Sequence, residues 1–391
     1  MPAERAVSST HSKPSRSASS VAAGSRLPKR FARTCAGLFI ACGLLWSSSH
    51  AQVADAPAPA VADTGTAANP IRLKVIGGLE GVSQYTRYEA PFWQGLGQLT
   101  GGRIVAEIAP SDRSGIRAAE MLHLMRLGVV PFGTILLAIA AADEPELAGA
   151  DLAVLSPDMR RLRINTAAYR PRIIRNLADN YDIEVLALFT YPAQVLFCTR
   201  PFTGLSNLAG RRIRTSSVAQ ADVVTALGGI PVVTPFTGIV SAVRAGQVEC
   251  AITGTLSGNT IGLHEVTTHI HRMAISWGLS VFAVHRPSWN ALPADLRETL
   301  RQGLLDLEAQ VWAAAEQETE EGFTCNTGRP GCHDGQPGHM QIVPVSEEDE
   351  QRRSSLLREV VLPGWLGRCG PDCADAWNES LGSTLGMPAR P

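Results

Sequence analysis

An arginine at the end of a predicted strand is the strongest candidate for binding chemistry in this chain. Residues 210–217 read GRRIRTSS. In a strand, alternate side chains share a face, so Arg212, Arg214 and Ser216 point one way and Ile213 points the other. A guanidinium at a strand end can hold a carboxylate through two parallel hydrogen bonds, a geometry that lysine does not offer. The sequence therefore predicts Arg214 as a carboxylate-binding residue, with an ordinary solvated strand edge as the alternative.

A polar run after a later strand supplies further candidates. Residues 253–260 read TGTLSGNT and follow the apolar segment QVECAI. Glycines let the backbone approach a ligand closely, and hydroxyl and amide groups supply hydrogen-bond donors. We predict that Thr253, Thr255 and Asn259 face the same ligand as Arg214. An ordinary loop is the alternative.

Familiar catalytic and metal-binding motifs are missing from the sequence. It has no G-x-S-x-G elbow and no G-x-x-x-x-G-K-[ST] loop, and GLGQLTG does not follow a strand as a dinucleotide fingerprint must. His264 and His269 lie five residues apart, whereas a zincin helix needs histidines four apart. The sequence therefore predicts a binding protein with no cofactor and no metal. The alternative is a secreted hydrolase or lyase that uses His264, Glu265 or Asp112.

The charge distribution argues against a nucleic-acid partner. The chain has 391 residues, and 45% of them are hydrophobic, which is enough for two domains with real cores. Arginine is the usual cation, with 32 Arg against 3 Lys. Beyond the first 51 residues the chain holds 28 basic and 35 acidic residues, whereas phosphate binding needs a basic face.

The beginning of the chain predicts export. The basic segment KRFAR at residues 29–33 leads into the apolar run CAGLFIACGLLW, and small residues stand at Ser49 and Ala51. This arrangement is typical of a signal peptide over residues 1–51 with cleavage after Ala51. Acylation at Cys42 is the alternative, but it would cut the apolar run in half. Residues 52–70 are rich in Ala and Pro and are predicted to be a disordered linker.

Strands and helices alternate through the rest of the chain. IRLKVIGG and RIVAEIAP read as strands early in the chain, and VLFCTR, RRIRTSS, IPVVTPF and QVECAIT as later ones, separated by short helices that end at glycines such as Gly246. This alternation of strands and helices predicts an α/β fold with mainly parallel sheets in two lobes. Residues 293–321 predict one helix of roughly 43 Å, longer than a single lobe.

Six cysteines lie beyond the predicted signal peptide. In an exported protein, closely spaced cysteines usually form disulfides. We favour Cys325–Cys332 and Cys369–Cys373, and a crossed pairing is the alternative, as is a zinc site shared with His333 and His339. Cys198 and Cys250 lie in apolar strand patterns and are predicted to be buried free thiols.

Three motifs in a fixed order resemble a known family. They are LxxLAGRRIR at residues 205–214, ALGGIPVV at residues 226–233, and AVRAGQVECA at residues 242–251. Together they resemble the solute-binding proteins of tripartite ATP-independent periplasmic (TRAP) transporters, of the dicarboxylate-binding type. The resemblance covers about residues 71–322. Any one of the motifs alone would be a weak signal.

The resemblance implies a fold, a function and partners. It implies two α/β lobes joined by hinge strands, with a long helix packing on both; we assign residues 71–191 and 277–322 to lobe I and residues 192–276 and 323–391 to lobe II. It implies a monomeric periplasmic protein that captures a small organic carboxylate and delivers it to TRAP membrane subunits for cation-coupled uptake. A ligand-sensing subunit for a membrane receptor is a further alternative.

The resemblance also assigns residues to the site. The family's ligand-binding arginine falls on Arg214, and its later polar partner falls near Thr253. Many members carry a second arginine just before the strand that enters the second lobe, where this chain has Ala193 and Gln194. The resemblance therefore favours a monocarboxylate, with Gln194 as a candidate ligand contact. Tyr85 and Phe236 are candidates for filling the cleft, with burial in the core as the alternative.

Overall fold

The computed structural model describes residues 65–389. The predicted signal peptide and residues 52–64 of the predicted linker lie outside this range. Ahead of the first strand, Thr66 and Asn69 exchange backbone hydrogen bonds of 3.0 Å in a turn. Within residues 65–389, no helix is both long enough and apolar enough to cross a bilayer.

Eleven strands in the described part of the chain form two separate sheets. The first sheet has the order β2-β1-β3-β10-β4 and the second the order β11-β9-β5-β8-β6-β7. The strands are β1 (Ile71–Gly77), β2 (Ile104–Pro110), β3 (Phe132–Leu136), β4 (Ile183–Thr190), β5 (Gln194–Cys198), β6 (Arg212–Thr215), β7 (Ile230–Val233), β8 (Cys250–Gly254), β9 (His269–His271), β10 (Leu279–His285) and β11 (Gln341–Val343).

Helices accompany both sheets, so the predicted α/β class is confirmed. They are α1 (Ala90–Gln94), α2 (Leu96–Leu99), α3 (Met121–Arg126), α4 (Leu137–Ala140), α5 (Met159–Tyr181), α6 (Val218–Ala226), α7 (Ile239–Arg244), α8 (Thr255–Thr260), α9 (Arg286–Asn290), α10 (Ala294–Asn326), α11 (Glu347–Leu356), α12 (Leu362–Cys369), α13 (Pro371–Trp377) and α14 (Ser383–Leu385). Gly246 has a φ of 66° just after α7, a conformation that a residue with a side chain adopts only at a cost.

The sheets are mixed rather than mainly parallel, which corrects the prediction. β1 runs parallel to β2 and β3, but β10 is antiparallel to both β3 and β4. In the second sheet β6 is parallel to β7 and β8, whereas β5 is antiparallel to β8 and β9. The cause is that the chain passes directly from a strand of one sheet to a strand of the other twice, from β4 to β5 and from β9 to β10, before it crosses a third time through α10 to β11. β5 and β10, the two strands that enter by direct crossings, run antiparallel to the strands on both sides of them.

The predicted long helix packs on β4 of the first sheet and on α8, the helix that follows β8 of the second sheet. The Trp312 indole nitrogen in α10 donates to the Leu188 carbonyl oxygen in β4 at 2.8 Å. Further along, the Asn326 amide nitrogen donates to the Thr255 carbonyl oxygen at 2.9 Å, beside the second sheet. The helix ends at Asn326 rather than at residue 321, because Phe323 and Cys325 are buried and tertiary contacts continue it past the polar run EQETEE.

The C-terminal segment lies against elements of both sheets. The Trp365 indole nitrogen in α12 donates to the Pro145 carbonyl oxygen, which belongs to the segment between β3 and α5, at 2.7 Å. In the same helix Arg368 forms an ion pair with Asp222 of α6 at 2.8 Å. The predicted lobe boundaries themselves stay a prediction.

Three disulfides lie in the described residues, and one corrects the sequence analysis. Cys325 pairs with Cys332 and Cys369 with Cys373, the pairings that the sequence favoured. Cys198 and Cys250 are not free thiols but a third disulfide. The free-thiol prediction was wrong because β5 and β8 place these two residues directly opposite each other, with their Cα atoms 4.1 Å apart. The sequence shows neither the strand pairing nor its register.

Candidate functional site

A cleft of about 500 Å³ lies between the two sheets. The parallel strands of both sheets point their carboxyl ends at it: Leu79 follows β1, Asp112 follows β2, and Arg214 and Thr253 lie at the ends of β6 and β8. Ligands of open α/β sheets bind outside the carboxyl ends of the strands. We call the side formed by residues 79–139 the first wall and the side formed by residues 214–257 the second wall.

Arg214 lies in the second wall with its side chain almost completely buried. Its exposed fraction is 4%, and it lines the cleft. The Nε atom donates to the Thr234 carbonyl oxygen at 2.9 Å, and Nη1 donates to the Ile252 carbonyl oxygen at 2.7 Å. A guanidinium has five N–H donors, so the anchored side chain keeps donors for a ligand. The strand end thus fixes the position and plane of a cation.

No acidic side chain among the described residues neutralises Arg214. Its two recorded partners are carbonyl oxygens, and burial lowers the pKa of the guanidinium to about 10. The side chain therefore still carries its charge at neutral pH. A buried charge without a counter-ion is costly, and an anionic ligand in the cleft would remove that cost.

Three other predicted site residues also line the cleft. Thr253 lies at the end of β8, Phe236 follows β7, and Gln194 begins β5 at the crossing between the sheets. The Gln194 amide nitrogen donates to the Trp277 carbonyl oxygen at 3.3 Å, and its amide oxygen accepts from the Gln220 amide nitrogen at 2.8 Å. The structure therefore brings Arg214, Thr253, Phe236 and Gln194 together.

Thr255 and Asn259 lie away from the cleft. The polar run predicted as a ligand loop forms helix α8, which turns the chain toward α10. The Thr255 hydroxyl donates to the Glu318 carbonyl oxygen at 3.3 Å. Asn259 donates to the Gln336 carbonyl oxygen at 2.9 Å and accepts from the Gln336 amide at 2.7 Å. Their polar groups are used to hold α8 in place.

Tyr85 does not line the cleft either. Its ring is buried in a small cluster with Val82, Ala90 and Tyr191, behind the first wall. Val82 and Tyr191 do reach the cleft. The ring of Tyr85 therefore supports the wall from behind.

Asp112, Arg117 and Ser257 line the cleft as well. From the sequence, Asp112 was named only for the hydrolase or lyase alternative, Ser257 was included only within the polar run, and Arg117 was not named. A signal was present for Asp112, because it stands two residues after the strand IVAEIAP, at the same kind of strand end as Arg214. Because β2 and β6 are far apart in the chain, the sequence does not show that their carboxyl ends face the same cleft.

The histidines considered for zinc do not converge. The Nδ1 atom of His264 lies 3.0 Å from the Asn259 carbonyl oxygen, and that of His269 lies 2.8 Å from the Thr268 hydroxyl. Between residues 65 and 389, no group of three or more His, Cys, Asp or Glu side chains is placed to hold a metal ion.

A buried carboxyl group lies behind the first wall. Glu89 is 3% exposed, and one of its oxygens accepts from the Gly78 amide at 2.6 Å, just before the cleft residue Leu79. The Thr134 hydroxyl donates to its other oxygen. Burial raises the pKa of the Glu89 carboxyl to about 7, and these two hydrogen bonds offset only part of that rise.

This carboxyl group predicts that stability falls as the pH rises toward 7. Below the ordinary value of 4.5, both states hold the proton; between 4.5 and about 7, the unfolded chain releases it while folded Glu89 retains it. Glu89→Gln keeps the shape without the charge. We expect this variant to exceed the wild type in free energy of unfolding by about 3 kcal/mol at pH 8 and to match it at about pH 4. Urea unfolding at both pH values measures this, and an equal difference at both would contradict the assignment.

Comparisons with known proteins agree with this fold. The model of the family "Bacterial extracellular solute-binding protein, family 7" matches residues 82–352, more than half of the chain. The C4-dicarboxylate-binding periplasmic protein DctP of Rhodobacter capsulatus is 23% identical over 225 residues, which are 57% of this chain and 67% of that protein.

Solved structures of low sequence identity share the two-lobed fold. DctP7 of Bordetella pertussis, an extracytoplasmic solute receptor binding pyroglutamic acid, superposes with a TM-score of 0.70 at 16% identity, covering 79% of this chain and 98% of that one. A TRAP periplasmic solute-binding protein from Rhodoferax ferrireducens with bound malonate gives a TM-score of 0.69 at 17% identity, covering 80% and 98%. The resemblance found in the sequence is confirmed, and the chain belongs to family 7 of the bacterial extracellular solute-binding proteins, the DctP family.

Proposed function

We propose that the chain is the solute-binding subunit of a TRAP transporter. In this proposal it captures a small organic acid outside the cytoplasm and delivers it to membrane subunits for cation-coupled uptake, without chemistry on the ligand. Family membership supports extracytoplasmic solute binding. The two solved structures named above bind pyroglutamic acid and malonate, and DctP of Rhodobacter capsulatus is named for C4-dicarboxylates; all of these are small organic acids.

One observation carries the proposal: Arg214 is a buried cation that lines the interlobe cleft and has no acidic partner among the described residues. A ligand carboxylate that bonds to its remaining N–H groups would form a charge-assisted pair shielded from water. Thr253, Gln194 and Phe236 complete the contact set in this proposal. Thr255, Asn259 and Tyr85 act indirectly, by holding α8 and the first wall.

A monocarboxylate fits the charges of the cleft better than a dicarboxylate. Two arginines line the cleft, Arg214 and Arg117. Arg117 is exposed and is bound to Glu120. Gln194, near which the resemblance in sequence would place a second arginine, is neutral and already bonded to Gln220 and Trp277. A second ligand carboxylate would therefore find no free cation among these residues.

The finer localisation is also a proposal. We propose that the protein is periplasmic and begins at Gln52 after cleavage, and that its lobes have the boundaries given above. Mass spectrometry of the exported protein tests the cleavage, because a mature chain starting elsewhere would contradict it.

The direct test of function is a ligand screen on residues 52–391. We expect thermal-shift screening against organic acids to find monocarboxylates that raise the melting temperature by several degrees, since a ligand that binds only the folded state stabilises it. Calorimetry then gives the stoichiometry, expected to be one. Incubation of each hit with the protein should leave the acid unchanged by mass. Turnover of a hit, or binding only of neutral or basic compounds, would overturn the proposal.

A further inference from the structure

The two walls of the cleft carry opposite charges that the described residues leave unpaired. Arg214 is the cation of the second wall. Asp112 is the carboxylate of the first wall, and it makes no ion pair with another described residue. The two side chains line the same cleft without forming an ion pair with each other. Opposite charges on facing walls of a cleft can each bind one end of a ligand that lies between them.

The arginines closest to Asp112 in the chain form ion pairs with other acidic side chains. Its Oδ1 atom accepts from the Glu80 amide at 3.0 Å, which leaves Oδ2 without a recorded partner in residues 65–389. The adjacent Arg113 pairs with the Glu80 carboxylate at 2.6 Å, and Arg117 is bound to Glu120. Arg113 is therefore attracted to Asp112 without forming an ion pair with it, and Oδ2 remains open to the cleft.

The surface between the two charges is largely apolar. From the first wall, Leu79, Val82, Ile116 and Ile139 reach the cleft, and Phe236 faces it from the second wall. Such a lining binds the hydrocarbon body of a ligand and leaves its ends to the two charged groups.

We infer that the ligand is a carboxylic acid with an apolar body and a hydrogen-bond donor, an ammonium or hydroxyl group, that binds Asp112. This inference rests on the proposed function, because the ligand carboxylate is assigned to Arg214. A ligand that displaces water from Asp112 without donating to it leaves a carboxylate partly desolvated and unpaired. A second ligand carboxylate at this position adds like-charge repulsion. The first wall thus selects for a donor and against a dicarboxylate.

Two matched ligand series test this selection. One consists of butanoate, 4-hydroxybutanoate, 4-aminobutanoate and succinate; the other consists of their six-carbon counterparts, hexanoate, 6-hydroxyhexanoate, 6-aminohexanoate and adipate. Calorimetry measures each acid against the wild type, Asp112→Asn and Glu107→Gln. Asparagine keeps the Oδ1 acceptor for the Glu80 amide, and Glu107 is an exposed acid on β2 outside the cleft.

In at least one series we expect a hydroxy or amino acid to bind the wild type about 10-fold more tightly than the unsubstituted acid, with the dicarboxylate weakest. Asp112→Asn should abolish a preference for the amino acid and reduce a preference for the hydroxy acid. The affinity of this variant for the unsubstituted acid should stay within about twofold of the wild type, and its affinity for the dicarboxylate should rise. Glu107→Gln should change none of these affinities. Comparison of the amino acid with the hydroxy acid shows whether the group that binds Asp112 is an ammonium or a hydroxyl.

The contrary outcomes separate the inference from the proposed function. If unsubstituted acids bind as tightly as their donor-bearing partners, or if Asp112→Asn leaves the ratios unchanged, the inference fails while carboxylate capture stands. A dicarboxylate that binds most tightly and loses affinity in Arg117→Ala also overturns it. If a binding ligand found by screening shows no dependence on Arg214, the proposed function fails and the inference with it.

Discussion

Replacing Arg214 with alanine is expected to lower the affinity for the cognate acid by more than 100-fold. The ligand carboxylate would enter a buried site without its counter-ion, and breaking one side of a buried pair costs about 3 kcal/mol or more. Arg214→Lys keeps the charge but loses the planar fork fixed by the Thr234 and Ile252 carbonyl oxygens, so we expect an intermediate loss of about 10-fold. Isothermal titration calorimetry with an acid found by screening measures both.

Arg212→Ala is the matched control for this experiment. Arg212 lies on the same strand, two residues earlier, but it is exposed and donates to the carbonyl oxygens of Gln247 and Gly246. We expect its affinity to stay within about twofold of the wild type, because exposed polar contacts away from the ligand contribute little. Urea unfolding of every variant separates loss of binding from loss of fold. Tight binding by a folded Arg214→Ala variant would show that the carboxylate lies elsewhere.

Removing the Cys198–Cys250 disulfide is expected to lower the free energy of unfolding by about 4 kcal/mol. The bridge joins positions 52 residues apart, and the entropy of closing a loop of that length in the unfolded chain gives this magnitude. Both cysteines are completely buried in the second sheet, so the double variant Cys198→Ala/Cys250→Ala avoids leaving a lone thiol. Urea unfolding of the oxidised proteins provides the measurement.

The shortest bridge in the described residues is a control for the loop-length argument. Cys369 and Cys373 are four residues apart, so the same relation gives only about 2 kcal/mol for their double alanine variant. A thiol titration of denatured, unreduced wild-type protein should find none of Cys198, Cys250, Cys325, Cys332, Cys369 and Cys373 free. Two reactive thiols traced to Cys198 and Cys250 would restore the free-thiol prediction.

Local patterns were enough to predict the elements that carry the site. Arginine and isoleucine alternate across β6, and the glycine after α7 adopts the positive φ that a helix end needs. The long apolar stripe from Leu296 onward predicted α10, since it repeats at helical spacing over many turns. These features depend on residues close together in the chain.

Other features depended on contacts between distant residues and were missed. The run at residues 253–260 reads as a loop from its glycines and hydroxyls, but packing of α8 against α10 makes it helical. Gly322 lies so close to this helix that an added Cβ would stand 2.3 Å from the Leu256 nitrogen. No local sequence pattern in either segment shows that α8 and α10 pack this closely.

The fold class, the family and the arginine at the strand end could all be predicted from the sequence, because each depends on short-range periodicity or on an ordered set of motifs. The residues that face this arginine depend on contacts between distant parts of the chain. Asp112 and Arg214 are about 100 residues apart in the chain and lie on facing walls because the two sheets turn the carboxyl ends of their parallel strands toward one cleft. The same packing buries Arg214 and pairs Cys198 with Cys250, since strand order and register are set by the burial of whole faces rather than by neighbours in sequence.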